Sequence, residues 1–112
     1  MWLFTETGFV SVVQDRDDGN RMLVRARDKQ SLRQIADWYG VDILDKVGRS
    51  DYPYRLFISR TQFVDWLVET GSAVDYDNYK NQVAKTRGYD FAEPLHDVWA
   101  TMLRLEKLPL DN

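Results

Sequence analysis

Four of the six tyrosines lie in two short segments that are rich in charged residues. One is Asp51-Tyr52-Pro53-Tyr54-Arg55 and the other is Asp75-Tyr76-Asp77-Asn78-Tyr79-Lys80. A tyrosine offers a large apolar ring and a hydroxyl group that needs a hydrogen-bond partner, so such segments suit a surface that touches another molecule. The pattern indicates recognition and does not specify a reaction.

The same tyrosines also have a purely structural interpretation. Tyr76 and Tyr79 are three residues apart and would share the face of a helix that packs against a sheet. Tyr52-Pro53 suits the start of a strand, where proline is tolerated. The functional alternative is a polar and aromatic recognition surface. Its candidate binding residues are Arg25, Arg27, Asp51, Tyr52, Arg55, Asn78 and Lys80.

No motif predicts a catalytic residue. His96 is the only histidine, and a neighbouring carboxylate could orient it as a general base. Asp97 is adjacent in sequence, however, so on a helix its side chain points elsewhere. Glu93 lies where a helix is expected to start and suits a role in capping. We therefore expect a protein that is not an enzyme.

Metal ions and organic cofactors are not expected either. The chain has no cysteine and one histidine, which disfavours zinc. The acidic segment 15–20 differs from a calcium-binding EF-hand loop, because glycine falls at position 5 rather than 6 and Ala26 takes the place of the glutamate. The glycines are isolated and form no phosphate-binding loop. Segment 15–20 instead predicts a tight turn.

Composition limits the choice of partners. The chain has 112 residues, 44% of them hydrophobic and 13% aromatic, which predicts one folded domain over residues 1–112. The net charge of −3 disfavours a nucleic-acid binder and suits a basic protein partner. No apolar run approaches the roughly 18 residues that cross a bilayer, and the first residues do not resemble a signal peptide. We expect a cytoplasmic protein without a membrane contact.

Hydrophobic periodicity predicts four strands and four helices. The strands are expected at residues 9–13, 21–27, 41–45 and 54–58, with a hairpin turn between the first two and a loop at 48–51. The first helix covers residues 29–39, with Asp28 as its cap and Gly40 at its end. The capping-box spacing of Ser59 and Gln62 opens a second helix that ends at Gly71. Two more are expected, from Asp75 to Arg87 and from Pro94 onwards.

The order of these elements predicts an α+β fold. A four-stranded antiparallel sheet in ββαββα order matches a rearranged ferredoxin-like sheet with helices on one face, followed by a two-helix C-terminal extension. If the second and fourth strands are neighbours, Arg25, Arg27, Arg55 and Phe57 share one face, as the residues that stack RNA bases do in some domains. The apolar stripe of the extension is a candidate homodimer surface.

Several segments resemble a small family of uncharacterised bacterial proteins, mostly from actinobacteria and their phages. The resemblance is carried by Trp2-x-Phe4-Thr5-x-x-Gly8-Phe9-Val10-Ser11-x-Val13, Val24-Arg25-Ala26-Arg27, Asp51-Tyr52-x-Tyr54-Arg55 and Asp75-Tyr76-x-Asn78-x-Lys80. The family has no assigned activity, so the resemblance implies a bacterial or phage origin and brings no catalytic residue with it.

The sequence thus favours a non-catalytic intracellular module that binds another protein, in the manner of an inhibitor, an immunity protein or a regulatory adaptor. The first alternative is a nucleic-acid-binding regulator that uses the arginine-bearing sheet face. The second is a small-molecule binder or a small enzyme with Asp51, Tyr52, Arg55 and His96 around a pocket.

Overall fold

The computed structural model describes residues 1–45 and 51–109, and the chain divides into two compact units, Met1–Asp75 and Tyr76–Asn112. The first unit contains β1 (Trp2–Thr5), β2 (Gly8–Gln14), β3 (Arg21–Ala26), α1 (Gln30–Tyr39), β4 (Leu44–Asp45), β5 (Tyr54–Ser59) and α2 (Arg60–Ser72). The second contains α3 (Tyr79–Arg87), α4 (Tyr89–Met102) and a 3-10 helix (Leu103–Lys107). The predicted α+β class is confirmed, whereas the grouping of both units into one domain stays a prediction.

All neighbouring strands of the sheet are antiparallel, and their order is β1-β2-β3-β5-β4. The sheet has five strands rather than the predicted four, because Trp2–Thr5 folds back onto β2 and places Leu3 opposite Val10. The predicted strand at 41–45 is reduced to Leu44–Asp45, and the predicted loop at 48–51 lies outside the described residues except for Asp51.

The core of the first unit lies between one sheet face and the helices α1 and α2. Side chains alternate along a strand, so β2, β3 and β5 each present every second residue to this face. Val24 and Leu56 lie opposite each other and are fully buried at its centre. Burying a side chain of this size contributes roughly 1.5–3 kcal/mol. The remaining buried members of the core are Val10, Val12, Met22, Ala26, Leu32, Ile35, Ala36, Ile58, Phe63 and Trp66.

Local signals for the helix ends of the first unit are largely confirmed. The helix α1 begins at Gln30, one residue later than predicted, and Lys29 rather than Asp28 stands at its N-cap. Asp28 Oδ1 still accepts a hydrogen bond from the Ser31 N–H at 3.2 Å. Gly40 ends α1 with a φ of 64°, a left-handed conformation that glycine adopts without strain. The capping box opens α2, because Ser59 and Gln62 exchange hydrogen bonds of 3.0 and 2.9 Å between side chain and backbone. The helix runs one residue past Gly71, to Ser72.

The helical unit begins and divides at other residues than predicted. Asn78 caps α3, which therefore starts at Tyr79, four residues after the predicted start at Asp75. The next helix starts at Tyr89 instead of Pro94, directly after Gly88 turns the chain with a φ of 87°. Starting there lets Phe91 and Ala92 join a small core with Val83 and Leu95. Packing of this first turn thus outweighs the preference of Pro94 for a helix start.

Among the residues that the structure describes, no helix combines the length and apolarity that crossing a bilayer requires.

Hydrogen bonds of the half-buried Tyr39 connect α1 to α2. Its hydroxyl hydrogen is shared between the Gln62 carbonyl oxygen at 2.9 Å and Asp65 Oδ2 at 3.0 Å. Burial and this contact with Asp65 raise the pKa of Tyr39 from 10.0 to about 12. The phenol therefore stays protonated in the folded protein at a pH at which it ionises in the unfolded chain.

We expect Tyr39→Phe to lower the free energy of unfolding at neutral pH by about 1 kcal/mol, the usual net value of one hydrogen bond. Because the folded pKa is raised, the stabilisation by Tyr39 is complete below pH 10 and is lost between pH 10 and about 12. The free energy of unfolding should therefore decrease less between pH 10 and about 12 in Tyr39→Phe than in the unsubstituted protein. Urea unfolding across this pH range measures both effects.

The control is Tyr89→Phe, because Tyr89 is 83% exposed. An alkaline slope that is equal in Tyr39→Phe and in the unsubstituted protein would contradict the assignment.

Candidate functional site

One face of the sheet points away from α1 and α2 and is here called the arginine face. It carries the alternate side chains of each strand, which do not belong to the core. Cross-strand pairs define it, because Trp2 lies opposite Ser11, Ser11 opposite Arg25 and Arg25 opposite Arg55. A second row joins Val13, Leu23 and Phe57. The strand residues of the arginine face are Trp2, Phe4, Phe9, Ser11, Val13, Arg21, Leu23, Arg25, Leu44, Arg55 and Phe57. Apolar rings and guanidinium groups thus alternate on one surface.

Tyr52 organises the cations of this face. It is only 7% exposed, and the guanidinium carbons of Arg25 and Arg27 lie 4.9 and 4.6 Å from its ring centroid. A terminal nitrogen of Arg25 also donates to Ser11 Oγ at 2.9 Å, and Ser11 is itself buried. A cation that lies over an aromatic ring is attracted to its face. The site therefore brings two guanidinium groups against one ring, and Arg25 is also tied to Ser11.

Arg27, just past the end of β3, is exposed, and its side chain forms no hydrogen bond or ion pair with a described residue beyond its contact with Tyr52. Arg25 lies directly opposite Arg55, an arrangement of like charges that costs stability in an antiparallel pair. Arg25 Nε is buried and lacks a hydrogen-bond partner among the described residues. No aspartate or glutamate lies among the strand residues that define the arginine face.

Arg21, on the same face, pairs with a carboxylate of the hairpin turn. Its Nε lies 2.8 Å from Asp15 Oδ2, and its guanidinium stacks on Phe57 at 4.2 Å. Asp15 belongs to the acidic hairpin turn, where the backbone N–H of Asn20 donates to Asp18 Oδ1 at 2.9 Å. These bonds support the tight turn that the sequence predicts. Among the described residues, no group of three or more acidic or histidine side chains could hold a metal ion.

Three further aromatic rings extend the arginine face toward the sheet edge. Phe4 stacks on Phe9 with centroids 4.5 Å apart, and Trp2 meets Phe9 edge-on at 5.8 Å. Phe9 in turn lies 6.5 Å from Tyr52. Trp2 is 69% exposed and Phe4 is 37% exposed, so the outer part of this chain of rings is open to a partner.

Of the candidate binding residues, the structure brings Arg25, Arg27 and Tyr52 into contact and places Arg55 opposite Arg25. Asp51 is exposed next to Tyr52. Sequence reasoning missed Trp2, Phe4 and Phe9. The alternation of residues 2–5 was the available signal, because it would have placed both Trp2 and Phe4 on one face of a strand.

The last two candidates belong to the helical unit. Asn78 Oδ1 accepts from the Asn81 N–H at 3.0 Å, so capping α3 accounts for its position. Lys80 Nζ lies 3.1 Å from His96 Nδ1 and 5.0 Å from the Trp99 ring, on which His96 also stacks. An ammonium group can only donate, so Nδ1 of His96 is the acceptor in this contact. No carboxylate among the described residues forms an ion pair or hydrogen bond with His96.

Tyr79 packs against the small core of the helical unit, and the Tyr76 ring lies 6.4 Å from it. Burial, together with the nearby Tyr76, raises the pKa of Tyr79 to about 12. This ring is a packing residue of its own unit.

No family model, no curated protein and no solved structure matches this chain. The resemblance to actinobacterial and phage proteins therefore stays a prediction, and the functional argument depends on the geometry of the arginine face.

We expect Tyr52→Leu to release both arginines, whereas Tyr52→Phe should retain them, because the Phe ring still attracts a cation. The side-chain N–H resonances of Arg25 and Arg27 report on this directly through the ring current of residue 52. In Tyr52→Leu they should move toward the positions of a solvated arginine, and in Tyr52→Phe they should stay displaced. The Arg60 resonance is the control, because Arg60 bonds to Gln14 and Gly19 instead. Unchanged Arg25 and Arg27 signals in Tyr52→Leu would contradict the role of the ring.

Proposed function

We propose that this protein is a non-catalytic module that binds another protein, in the manner of an inhibitor, an immunity protein or a regulatory adaptor, and that the arginine face is its recognition surface. The supporting observation is the composition of that face. Tryptophan, tyrosine and arginine are the residue types that most often dominate the binding energy of a protein interface. Here Trp2 and Arg25 lie on one face of the sheet, and the buried ring of Tyr52 contacts Arg25.

The exposure of the outer rings supports the same function. Trp2 and Phe4 lie on the edge strand, while Val13 and Leu44 on the same face are 38% and 44% exposed. A stable interface combines an apolar centre with polar groups that fix the orientation of the partner. The rings and the aliphatic side chains supply the apolar centre. The guanidinium groups next to Tyr52 supply the polar groups that orient the partner.

We expect Trp2→Ser combined with Phe4→Ser to weaken partner binding by about 2 kcal/mol or more, the cost of removing a central aromatic anchor. The partner can be captured by p-benzoylphenylalanine in place of Phe4 and ultraviolet cross-linking in an actinobacterial lysate. Calorimetry with the captured partner then measures the affinity. Trp38→Ser is the matched control, because Trp38 is 48% exposed on α1. If both variants bind alike, the arginine face is not the recognition surface.

A second candidate function is the binding of single-stranded nucleic acid on the same face. Exposed aromatic rings beside arginines on an antiparallel sheet suit the stacking of bases and the pairing of phosphates. The net charge of −3 opposes it.

If this second function holds, a fluorescein-labelled oligouridylate should bind and weaken steeply as salt rises, because counterions are released. Arg25→Ala and Arg27→Ala should each lower the affinity further. Binding that does not respond to salt or to either substitution would contradict this function.

The remaining parts of the proposal concern fold and setting. We propose a rearranged ferredoxin-like sheet, supported by the order β2-β3-β5-β4 of its last four strands, with β1 added at one edge. We also propose a cytoplasmic protein of bacterial or phage origin that can form a homodimer. Supporting the homodimer, the helical unit exposes apolar side chains at Val98, Trp99, Met102, Leu103, Leu105 and Leu108.

A further inference from the structure

We infer that the arginine face selects an acidic partner, with aspartate or glutamate carboxylates of a protein segment binding to Arg25 and Arg27. This inference rests on the proposed protein-binding function and names the chemistry of the partner. It differs from what the net charge of the chain suggests, because an acidic protein would ordinarily attract a basic one.

The local charge of the arginine face is opposite to the charge of the whole chain. The chain carries a net charge of −3, yet the strand residues of this face include three arginines, with Arg27 just beyond β3, and no carboxylate. Arg21 pairs with Asp15 in the hairpin turn. Arg27 forms no ion pair or hydrogen bond with any described residue. A surface contact is governed by the charges nearest to it, since salt screens those beyond about 10 Å.

Arg25 is ordered by two contacts within the protein, and Arg27 lies against the same ring. Tyr52 is buried and supports Arg25 and Arg27 from one ring, while Ser11 holds Arg25 from the neighbouring strand. An arginine that is already ordered loses less conformational freedom when a carboxylate binds to it. Its planar fork also matches the two oxygens of a carboxylate.

A protein segment fits this face better than a nucleic acid does. Val13 and Leu23 lie in one row with the Phe57 ring, and Leu44 lies opposite Arg55 at the other edge of the same face. These side chains suit aliphatic side chains between the carboxylates of a peptide. A nucleic acid carries negative charges along its whole length, whereas a short acidic segment carries only a few. The net negative charge of the chain therefore repels the nucleic acid more.

The test uses the full chain and a fluorescein-labelled peptide in which glutamate and leucine alternate. The matched probe carries glutamine in place of glutamate, and a labelled oligothymidylate represents nucleic acid. Fluorescence anisotropy should show the glutamate peptide binding about tenfold more tightly than the glutamine peptide, with a preference that shrinks as salt rises. Arg27→Gln should remove most of this preference. It should leave the fold intact, since Arg27 is exposed.

Arg33→Gln is the control, because Arg33 is an exposed arginine on α1, on the opposite side of the sheet. Equal binding of both peptides, no binding of either, or an Arg27→Gln effect no larger than that of Arg33→Gln would overturn the inference. Tighter binding of the oligothymidylate than of the glutamate peptide would overturn it in favour of nucleic acid.

The same variants separate this inference from the proposed function. If Trp2→Ser with Phe4→Ser releases the cross-linked protein while Arg27→Gln does not, the recognition surface stands and its preference for acidic partners is wrong. If neither variant affects capture, the proposed function of the arginine face fails as well.

Discussion

The register between β3 and β5 is the constraint on which the rest of the first unit depends. Six residues of β3 pair with six of β5, from Arg21 opposite Ser59 to Ala26 opposite Tyr54. Because successive side chains point to opposite faces, this one register sets both the core pair Val24–Leu56 and the surface pair Arg25–Arg55. A slip by one residue would exchange the two faces. The arginine face is therefore fixed by the same pairing that buries the core.

The magnitudes explain why the sheet tolerates opposed arginines. Like charges opposite each other at a partly exposed position cost at most about 1 kcal/mol. Burial of Val24 and Leu56 contributes roughly 1.5–3 kcal/mol each, so the core decides the register. The stacking of two arginines on Tyr52 recovers about 0.5–1 kcal/mol for each exposed contact. The sheet can thus hold a concentrated positive charge without losing its fold.

Sequence reasoning succeeded where the signal is local. The hairpin turn at 15–20, the capping box of Ser59 and the end of α1 at Gly40 each depend on a few adjacent residues. It failed at β1, because the turn that joins β1 to β2 has no glycine or asparagine at its centre, where the chain carries Glu6 and Thr7. It also failed at α4, because tertiary packing of Phe91 and Ala92 outweighed the usual position of proline.

The candidate site also divides into features that local sequence predicts and features that depend on the tertiary structure. Strand alternation was enough to place Arg25, Arg55 and Phe57 on one face, since they belong to two predicted strands. Periodicity could not predict the contact of Tyr52 with Arg25 and Arg27. Tyr52 lies before the start of β5, in a segment without strand alternation, so the direction of its side chain depends on the fold. Asn78 shows the limit of residue type, because an asparagine that caps a helix and one that binds a partner look alike in sequence, and the structure shows the capping contact.

The distribution of charge matters more here than its sum. Composition gives one number for the whole chain, and that number predicts an attraction to basic partners. The fold places carboxylates such as Asp15, Asp37 and Asp65 in a turn and on helices, and it gathers arginines on a sheet face that no carboxylate of its strands shares. A partner that docks on this face meets a positive surface on an acidic protein. Strand pairing fixes this separation, because it decides which side chains share the arginine face.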